Sequence, residues 1–208
     1  MRKLSKLLLL TTSLLFVATD ANASETITIN STNKPALLDG RCGNDEWQVA
    51  TKIELPAQAS IYLMHDKDYF YICAKAKAED ITVLDLYIEN SETGNLHNFH
   101  LSAQMGESVL KDKEWENLNG KWVLKDFAGF WVPYAGLKDP ENRKGPKWAK
   151  GTHRQVQILR KKFPGNSWNM MFGVSAINYK GNPRAKFFYP EKGIKEDKST
   201  WAKFSFSE

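Results

Sequence analysis

The chain of 208 residues is long enough for one domain with a buried core, since 42% of its residues are hydrophobic and 12% are aromatic. Its formal charge of +5 at pH 7 is modest, and its Lys and Arg residues form no basic stripe, which excludes a typical nucleic-acid-binding surface. We find no internal repeat and no low-complexity tract, so repeat architectures are excluded as well.

Residues 1–23 have the pattern of a secretory signal peptide. Three basic residues precede an apolar stretch over residues 7–18, and the small residues within 21–23 form a cleavage pattern. The apolar stretch is shorter than the roughly 20 residues of a membrane span. We therefore expect a secreted or periplasmic mature chain from Ser24, with no stable membrane span after cleavage; an uncleaved anchor is the alternative.

The chain has two cysteines, Cys42 and Cys73. Export would place them in an oxidising compartment, so we expect a disulfide between them. Closing a loop of this length stabilises a fold by about 3–4 kcal/mol in the chain-entropy model. Two unpaired thiols are the alternative, and a metal site is less favoured because the four histidines lie elsewhere in the sequence.

The first part of the mature chain predicts a short strand, a helical turn and a hairpin. Ile27 and Ile29 indicate the strand, and residues 44–47 the turn. Residues 61–64 and 69–76 flank a polar turn and predict the hairpin. In its second strand the alternation assigns Phe70 to the core face and Cys73 to the outer face, where the segment carrying Cys42 could cover the sheet.

Later segments also predict strands, and a turn at 164–166 suggests that two of them form a hairpin with each other. Residues 119–120 indicate a further hairpin turn, whereas 137–150, rich in Pro and Gly, predict a long loop. The alternating segments that predict strands are 83–90, 98–104, 155–160, 168–177 and 201–206.

Many short strands, separated by regular turns, and no long helical segment predict an all-β fold. We expect an immunoglobulin-like or jelly-roll β-sandwich of antiparallel strands with one disulfide. It would form a single domain over residues 24–208, with an elaborated loop region at about 109–150.

The order of these segments resembles the family 9 carbohydrate-binding-module-like (CBM9-like) domains, which are β-sandwiches related in fold to the DOMON domains. The resemblance covers most of residues 36–206 and is poor over 109–150. It implies a β-sandwich that binds carbohydrate. The segments that carry it are the apolar–Asp–Gly step at 38–40, the acidic residues before Trp47, the strand–Asp turn–Tyr strand over 62–74, the acidic-bounded strand at 85–89, and the segments 99–106 and 199–204.

Carbohydrate binding requires flat aromatic faces with polar groups at the rim, and the chain has seven tryptophans. Trp47, Trp168 and Trp201 fall in strand or turn patterns and are expected in the core. The other candidates cluster where the resemblance fades, and they could instead close one end of the sandwich. As carbohydrate-binding residues we predict Trp131, Tyr134, Trp148 and Trp115.

Heme and calcium are two cofactors that the domain could bind, as alternatives to carbohydrate binding without a cofactor. The related heme-carrying branch of the fold ligates heme b through a Met and a His or Lys from distant strands, which would here be Met64 and His153. No Cys-x-x-Cys-His motif is present for covalent attachment. The second cofactor is calcium, bound by acids near turns, with solvated turn residues as the alternative interpretation of the same acids. These acids are Asp66, Asp68, Glu89 and Glu92.

The sequence contains no established catalytic motif. His97 and His100 are three apart on a predicted strand, so they should face opposite sides and not chelate one metal. No Gly-x-Ser-x-Gly, His-Glu-x-x-His or P-loop pattern is present, and nothing selects a pair of glycosidase carboxylates. We expect a non-catalytic exported domain that binds a glycan. A heme b electron-transfer domain, a periplasmic protein-interaction module and an enzyme are the alternatives.

Overall fold

The computed structural model describes residues 26–42, 45–119, 126–131, 134–148 and 151–208. These residues form a β-sandwich with three one-turn 3-10 helices at Asp45–Trp47, Arg160–Lys162 and Lys198–Thr200. The strands are β1 Ile27–Ser31, β2 Thr51–Leu55, β3 Ala59–His65, β4 Tyr69–Lys75, β5 Val83–Glu89, β6 Leu96–Leu101, β7 Met105–Lys111, β8 Glu114–Asn119, β9 Phe127–Phe130, β10 Tyr134–Asp139, β11 Lys144–Trp148, β12 His153–Leu159, β13 Ser167–Tyr179, β14 Asn182–Tyr189 and β15 Ala202–Phe206.

The strands form two layers, which we call the front sheet and the back sheet. The front sheet has the order β8-β7-β6-β5-β13, and β13 continues to β15 and β14 along its other edge. The back sheet contains β2, β3, β4, β12 and β9. The all-β sandwich predicted from the sequence is therefore confirmed.

Strand β1 connects the two sheets. Ile27 to Ile29 pair in parallel with β15, and Asn30 and Ser31 pair in parallel with β3. The other strand pairings among the described residues are antiparallel. Ile29 is fully buried where the sheets meet, so this strand curls the front sheet onto the back sheet.

The main core lies between the sheets and follows the alternation of the strands. In β5, Leu84, Leu86 and Ile88 point inward, and in β4 Phe70 and Ile72 do the same. Each such buried side chain stabilises the fold by about 1.5–3 kcal/mol relative to exposure. The core face predicted for β4 is therefore confirmed.

A second cluster covers the outer face of the back sheet. Cys42 and Cys73 form a disulfide, with sulfurs 2.02 Å apart. Around it pack Trp47, Met64 and Tyr71. The predicted disulfide and the outward placement of Cys73 are confirmed, and so is the burial of three tryptophans, namely Trp47, Trp168 and Trp201.

The predicted hairpin of residues 155–160 and 168–177 is wrong. β12 pairs with β4 and β9 in the back sheet, whereas β13 pairs with β5 in the front sheet. Between them the chain turns through the helix Arg160–Lys162 and buries Phe163 in the main core. The connection therefore crosses from one layer to the other.

The region predicted as a loop at 137–150 instead contains a β-hairpin. β10 and β11 pair with each other as a separate two-stranded sheet, around a turn at residues 140–143. β14 was not predicted from the sequence; the turn that precedes it lies at residues 180–181. The predicted turn at 119–120 extends outside the described residues, as does the predicted signal peptide. In the part that is described, no helix is long and apolar enough to cross a membrane.

Candidate functional site

The outer face of the front sheet carries a polar depression that we call the front cleft. Its volume is about 340 Å³. The register of β5 and β6 places its lining residues side by side: Asp85 of β5 lies opposite His100 of β6, and Tyr87 lies opposite Asn98. Their neighbours in β5 point into the core, so these side chains must point outward. The lining includes Asp85, Tyr87, Asn98, His100, Trp115 and Lys186.

A chain of polar contacts runs across the front cleft. His100 Nδ1 lies 2.7 Å from Asp85 Oδ1, and His100 Nε2 lies 2.9 Å from Ser102 Oγ. Lys186 Nζ donates to Asp85 Oδ2 at 3.0 Å. Burial opposes ionisation of Asp85, but the contacts with His100 and Lys186 prevail and hold the pKa of this carboxyl below its usual value. The cleft therefore presents an ionised carboxylate and a cation in fixed positions.

A glycine lets Lys186 reach this carboxylate. Gly173 of β13 lies between Asp85 and Phe188 in the register. A Cβ at Gly173 would lie 3.1 Å from the Phe188 ring and 3.3 Å from Lys186 Cε. Because Gly173 has no side chain, the lysine can cross β13 from β14 to β5.

The polar surface continues past β6 into an adjoining depression of about 340 Å³. We call it the polar end of the cleft, and its lining includes Asn98, His100, Gly106, Ser108 and Asn117. Ser108 Oγ donates to Asn117 Oδ1 at 2.8 Å across β7 and β8. Hydroxyl and amide groups both donate and accept hydrogen bonds, so this end can bind a ligand rich in hydroxyls.

Trp115 lines the front cleft together with a second aromatic residue, Tyr87. It is half-buried, and its ring meets that of Tyr87 in an edge-to-face contact with centroids 5.7 Å apart. Its Nε1 donates to Glu196 Oε1 at 3.1 Å, which ties β8 to the segment before β15. Tyr87 is buried between Trp115 and Trp201, and this burial raises its pKa. The position of Trp115 is therefore fixed by contacts on two sides.

The other predicted sugar-binding aromatics are Trp131, Tyr134 and Trp148. Trp131 follows β9, is half-buried and packs against the main core. Tyr134 and Trp148 are direct partners in the β10–β11 register, while their side chains lie outside the described part. The structure thus pairs the backbones of Tyr134 and Trp148, and the binding role of all four predicted aromatics stays a prediction.

Met64 and His153 both face the disulfide side of the back sheet. Met64 is fully buried beside Tyr71, whereas His153 lies opposite Lys75, four positions further along β4, or about 13 Å. His153 Nδ1 accepts the backbone N–H of Cys42 at 3.3 Å. These contacts give no support to the pair as axial ligands of one heme, and heme binding stays an untested prediction.

Two of the four acids suggested as calcium ligands, Asp66 and Glu89, have hydrogen-bond partners within the protein. Asp66 accepts hydrogen bonds from the backbone N–H groups of Asp68 and Tyr69 and from the hydroxyl of Tyr71. Glu89 contacts Asn169 and Lys198. Among the residues with described positions, no group of three His, Cys, Asp or Glu side chains could hold a metal. Calcium binding also stays a prediction.

Asp85 and His100 were predicted to lie on strands but were not predicted as site residues. The sequence does contain part of the information needed to select them. The alternation of β5 turns Asp85 outward, and the spacing of His97 and His100 places these two residues on opposite faces. His97 indeed contacts Glu107 and Phe163, whereas His100 contacts Asp85. Nothing in the sequence indicates Lys186, because it reaches the cleft from a strand 101 positions beyond Asp85.

Comparisons with known proteins bear on the fold. The sequence matches no protein-family profile and no curated protein. Two similar structures are of a family 9 carbohydrate-binding module from Caldicellulosiruptor kristjanssonii. The complex with cellotriose has 11% identity, a TM-score of 0.49 and coverage of 88% of this chain and 94% of that one. The complex with glucose has 14% identity, a TM-score of 0.46 and coverage of 86% and 95%.

A third similar structure is a "putative carbohydrate-binding protein" from Bacteroides uniformis ATCC 8492. It has a TM-score of 0.55 and 7% identity, and the alignment covers 89% of this chain and 100% of that one. An identity this low conveys no residue roles. The likeness shows that the two proteins share a β-sandwich fold.

Proposed function

We propose that this chain is an exported, non-catalytic domain that binds a glycan in the front cleft. The observation that carries the proposal is the contact chain of His100, Asp85 and Lys186 beside the half-buried ring of Trp115. Sugar hydroxyls donate and accept hydrogen bonds, and they would meet a carboxylate, an imidazole and an ammonium group in fixed positions. The indole edge borders this polar surface and supplies apolar contact.

The fold comparison supports carbohydrate as the ligand class. The Bacteroides uniformis protein with the same fold bears a carbohydrate-binding description. Fold alone does not fix function, so this likeness adds to the chemistry of the cleft and does not replace it.

The disulfide supports the exported location. Disulfides persist in oxidising compartments and are rare in reducing ones, and Cys42 and Cys73 are joined. Together with the signal-peptide pattern of residues 1–23, this bond fits a secreted or periplasmic protein.

Trp131 and the Tyr134–Trp148 pair are the second candidate surface for the same ligand. They lie next to the back sheet, where β9 ends and β10 begins. Aromatic faces on a hairpin could stack on sugar rings, as the sequence predicted. The experiment below distinguishes this surface from the front cleft.

The test is retardation of the purified mature protein in native gels containing soluble polysaccharides. The panel is mixed-linkage β-glucan, xylan, galactomannan and polygalacturonate. We expect at least one to retard the protein, and we expect His100→Ala and Asp85→Asn to abolish that retardation. The matched control is Glu116→Gln, an exposed β8 position that does not line the cleft, which should behave as wild type.

Two outcomes would contradict the proposal. If no polysaccharide of the panel retards the folded protein, glycan binding is overturned for these ligand classes. If retardation survives the cleft variants and is lost in Trp131→Ala or Trp148→Ala, the binding surface lies at the β10–β11 hairpin. Circular dichroism of each variant establishes that the fold is intact.

A further inference from the structure

We infer that the front cleft selects acidic glycans, and that Lys195 binds a uronic-acid carboxylate of the ligand. This inference rests on the proposed function and adds the chemical class of the sugar. Lys195 lies in the segment between β14 and β15, is half-buried, and lines the front cleft together with Asp85, His100 and Lys186. The ligand class follows from the way in which the charges of this lining are paired.

The carboxylate of Asp85 is already neutralised within the cleft. Its Oδ1 lies 2.7 Å from His100 Nδ1, and its Oδ2 accepts a hydrogen bond from Lys186 Nζ at 3.0 Å. Both oxygens therefore have a partner, and the ammonium group of Lys186 balances the negative charge. Since His100 can only add positive charge, Lys195 leaves the lining with a positive excess.

The ammonium group of Lys195 has no carboxylate partner within the described ranges, because no ion pair there includes it. The two acids that follow it in the chain are engaged elsewhere. Glu196 Oε1 accepts from Trp115 Nε1 at 3.1 Å, and Asp197 Oδ1 accepts from the backbone N–H and the hydroxyl of Ser199. An anionic group of a ligand would therefore complement the charge of the cleft at Lys195.

Hydrogen bonds on both sides hold the backbone of Lys195 at the cleft. The N–H of Ile194 donates to Thr200 Oγ1 at 2.8 Å, and the carbonyl of Ile194 accepts from Trp201 Nε1 at 2.8 Å. On the other side, the contact of Glu196 with the indole ties the segment to β8. Because both neighbours of the lysine are fixed, less conformational entropy is lost when its side chain binds a ligand.

A uronic acid combines the groups that this lining recognises. Its carboxylate would pair with Lys195 in a half-buried position, where charges are screened less than on an open surface. Its ring hydroxyls would meet the amide of Asn98, and its apolar face would border Trp115. A neutral sugar would make the same hydroxyl contacts and leave the ammonium group without a partner.

The test is isothermal titration of the purified mature protein with three uronate polysaccharides, namely polygalacturonate, alginate and hyaluronate. Each is compared with its carboxyl-reduced form, in which the uronates have been converted into neutral sugars. We expect at least one of the three to bind. Carboxyl reduction should weaken that binding about fivefold or more, since charge-assisted hydrogen bonds are roughly twice as strong as neutral ones. Added sodium chloride should weaken binding of the acidic form and leave any binding of the reduced form unchanged.

Variants at Lys195 make the test specific. Lys195→Met should weaken binding of the acidic form about fivefold or more and leave any binding of the reduced form unchanged. Lys195→Arg should retain binding of the acidic form, because it keeps the charge. The matched control is Lys192→Met, which removes the same charge from an exposed position of the same segment that does not line the cleft, and which should behave as wild type.

Three outcomes would overturn the inference while the proposed function stands. Equal binding of the acidic and carboxyl-reduced forms would show that the cleft does not select the carboxylate. Equal weakening by Lys195→Met and Lys192→Met would show that general attraction to a basic protein accounts for the preference. Binding of neutral polysaccharides of the gel panel, but of none of the three acidic ones, would show that the ligand is neutral. If neither group binds, the proposed function itself is overturned.

Discussion

The side-chain amide of Gln155 holds the backbone of Gly40, which lies 115 positions earlier in the chain. Gln155 Oε1 accepts the N–H groups of Gly40 at 2.9 Å and of Asp39 at 3.1 Å, and its Nε2 donates to the carbonyl of Leu37 at 2.8 Å. Gln155 is buried in β12. The apolar–Asp–Gly step that carries the family resemblance is thus fastened to the back sheet, which gives it a structural role.

Gln155→Ala should lower the free energy of unfolding by about 1–3 kcal/mol, the usual cost of an unsatisfied buried donor. The substitution leaves the buried N–H group of Gly40 without its acceptor, whereas the Asp39 N–H keeps the Leu37 carbonyl at 2.9 Å. Urea denaturation monitored by tryptophan fluorescence measures the loss. The control is Gln157→Ala, two positions along the same strand and partly exposed. Equal stability of the two variants would contradict the role of the amide.

Gly40→Ala should destabilise the fold more than Gly94→Ala. Both glycines have positive φ, +77° and +71°, and the left-handed conformation costs an alanine about 1–2 kcal/mol. A Cβ at Gly40 would also lie 2.4 Å from Phe130 Cδ1, whereas nothing lies within 4 Å at Gly94.

The destabilisation caused by Gly40→Ala should exceed that caused by Gly94→Ala by about 1–3 kcal/mol, the usual cost of overpacking. Urea denaturation of both variants measures this excess. It should largely disappear in a Phe130→Ala background, because the clashing ring is then absent. An excess that persists in this background would show that Phe130 is not its cause.

The double variant Cys42→Ala/Cys73→Ala should lose about 3 kcal/mol of stability, since the bond closes a loop with a sequence separation of 31. Glycan binding should be retained, because the disulfide covers the back sheet while the front cleft lies on the front sheet. Reduced wild-type protein should match the variant in stability. Loss of binding by a variant that is still folded would contradict this separation of roles.

Stability should depend on acid pH through Asp85. Its folded pKa is lowered from 3.8, because burial, which raises it, is outweighed by His100 and Lys186. A lowered folded pKa means that the ionised carboxylate stabilises the fold. This contribution is present above the ordinary pKa and is lost as the pH falls through the folded value.

The stability difference between wild type and Asp85→Asn should therefore shrink as the pH falls below 3.8, the ordinary value of the carboxyl, as measured by thermal unfolding at each pH. Lys186→Met removes one of the contacts that lower the pKa, so in that background the contribution should be smaller and its loss should be complete at a higher pH. A difference that stays constant or grows with acidification would contradict this assignment.

The parts of the fold predicted correctly are those determined by local pattern. Alternation over residues 83–90 indicates both the core face of β5 and the outward position of Asp85. The 61–76 hairpin is equally local, and from its register Cys73 could be placed on the side where Cys42 covers it. Period-two alternation needs no knowledge of the partner strand, which is why these predictions hold.

The wrong predictions concern segments whose structure depends on the strand with which they pair. The turn at 164–166 is compatible with a hairpin, but Phe163 is buried in the core and directs the chain into the other sheet. Pro and Gly between 137 and 150 indicate a loop, yet β10 and β11 pair because a separate two-stranded sheet tolerates them at its edges. The Lys186–Asp85 contact depends on two sheet registers at once, so no local pattern could reveal it.

The parallel pairing of β1 with both β15 and β3 has a consequence for how the protein is made. Phe204, the partner of Ile27 in β15, lies far along the chain from it. Contacts between such distant residues form late, because a long stretch of chain must be ordered first. Until β15 has been synthesised, the first strand lacks one of its two neighbours and the sandwich cannot close.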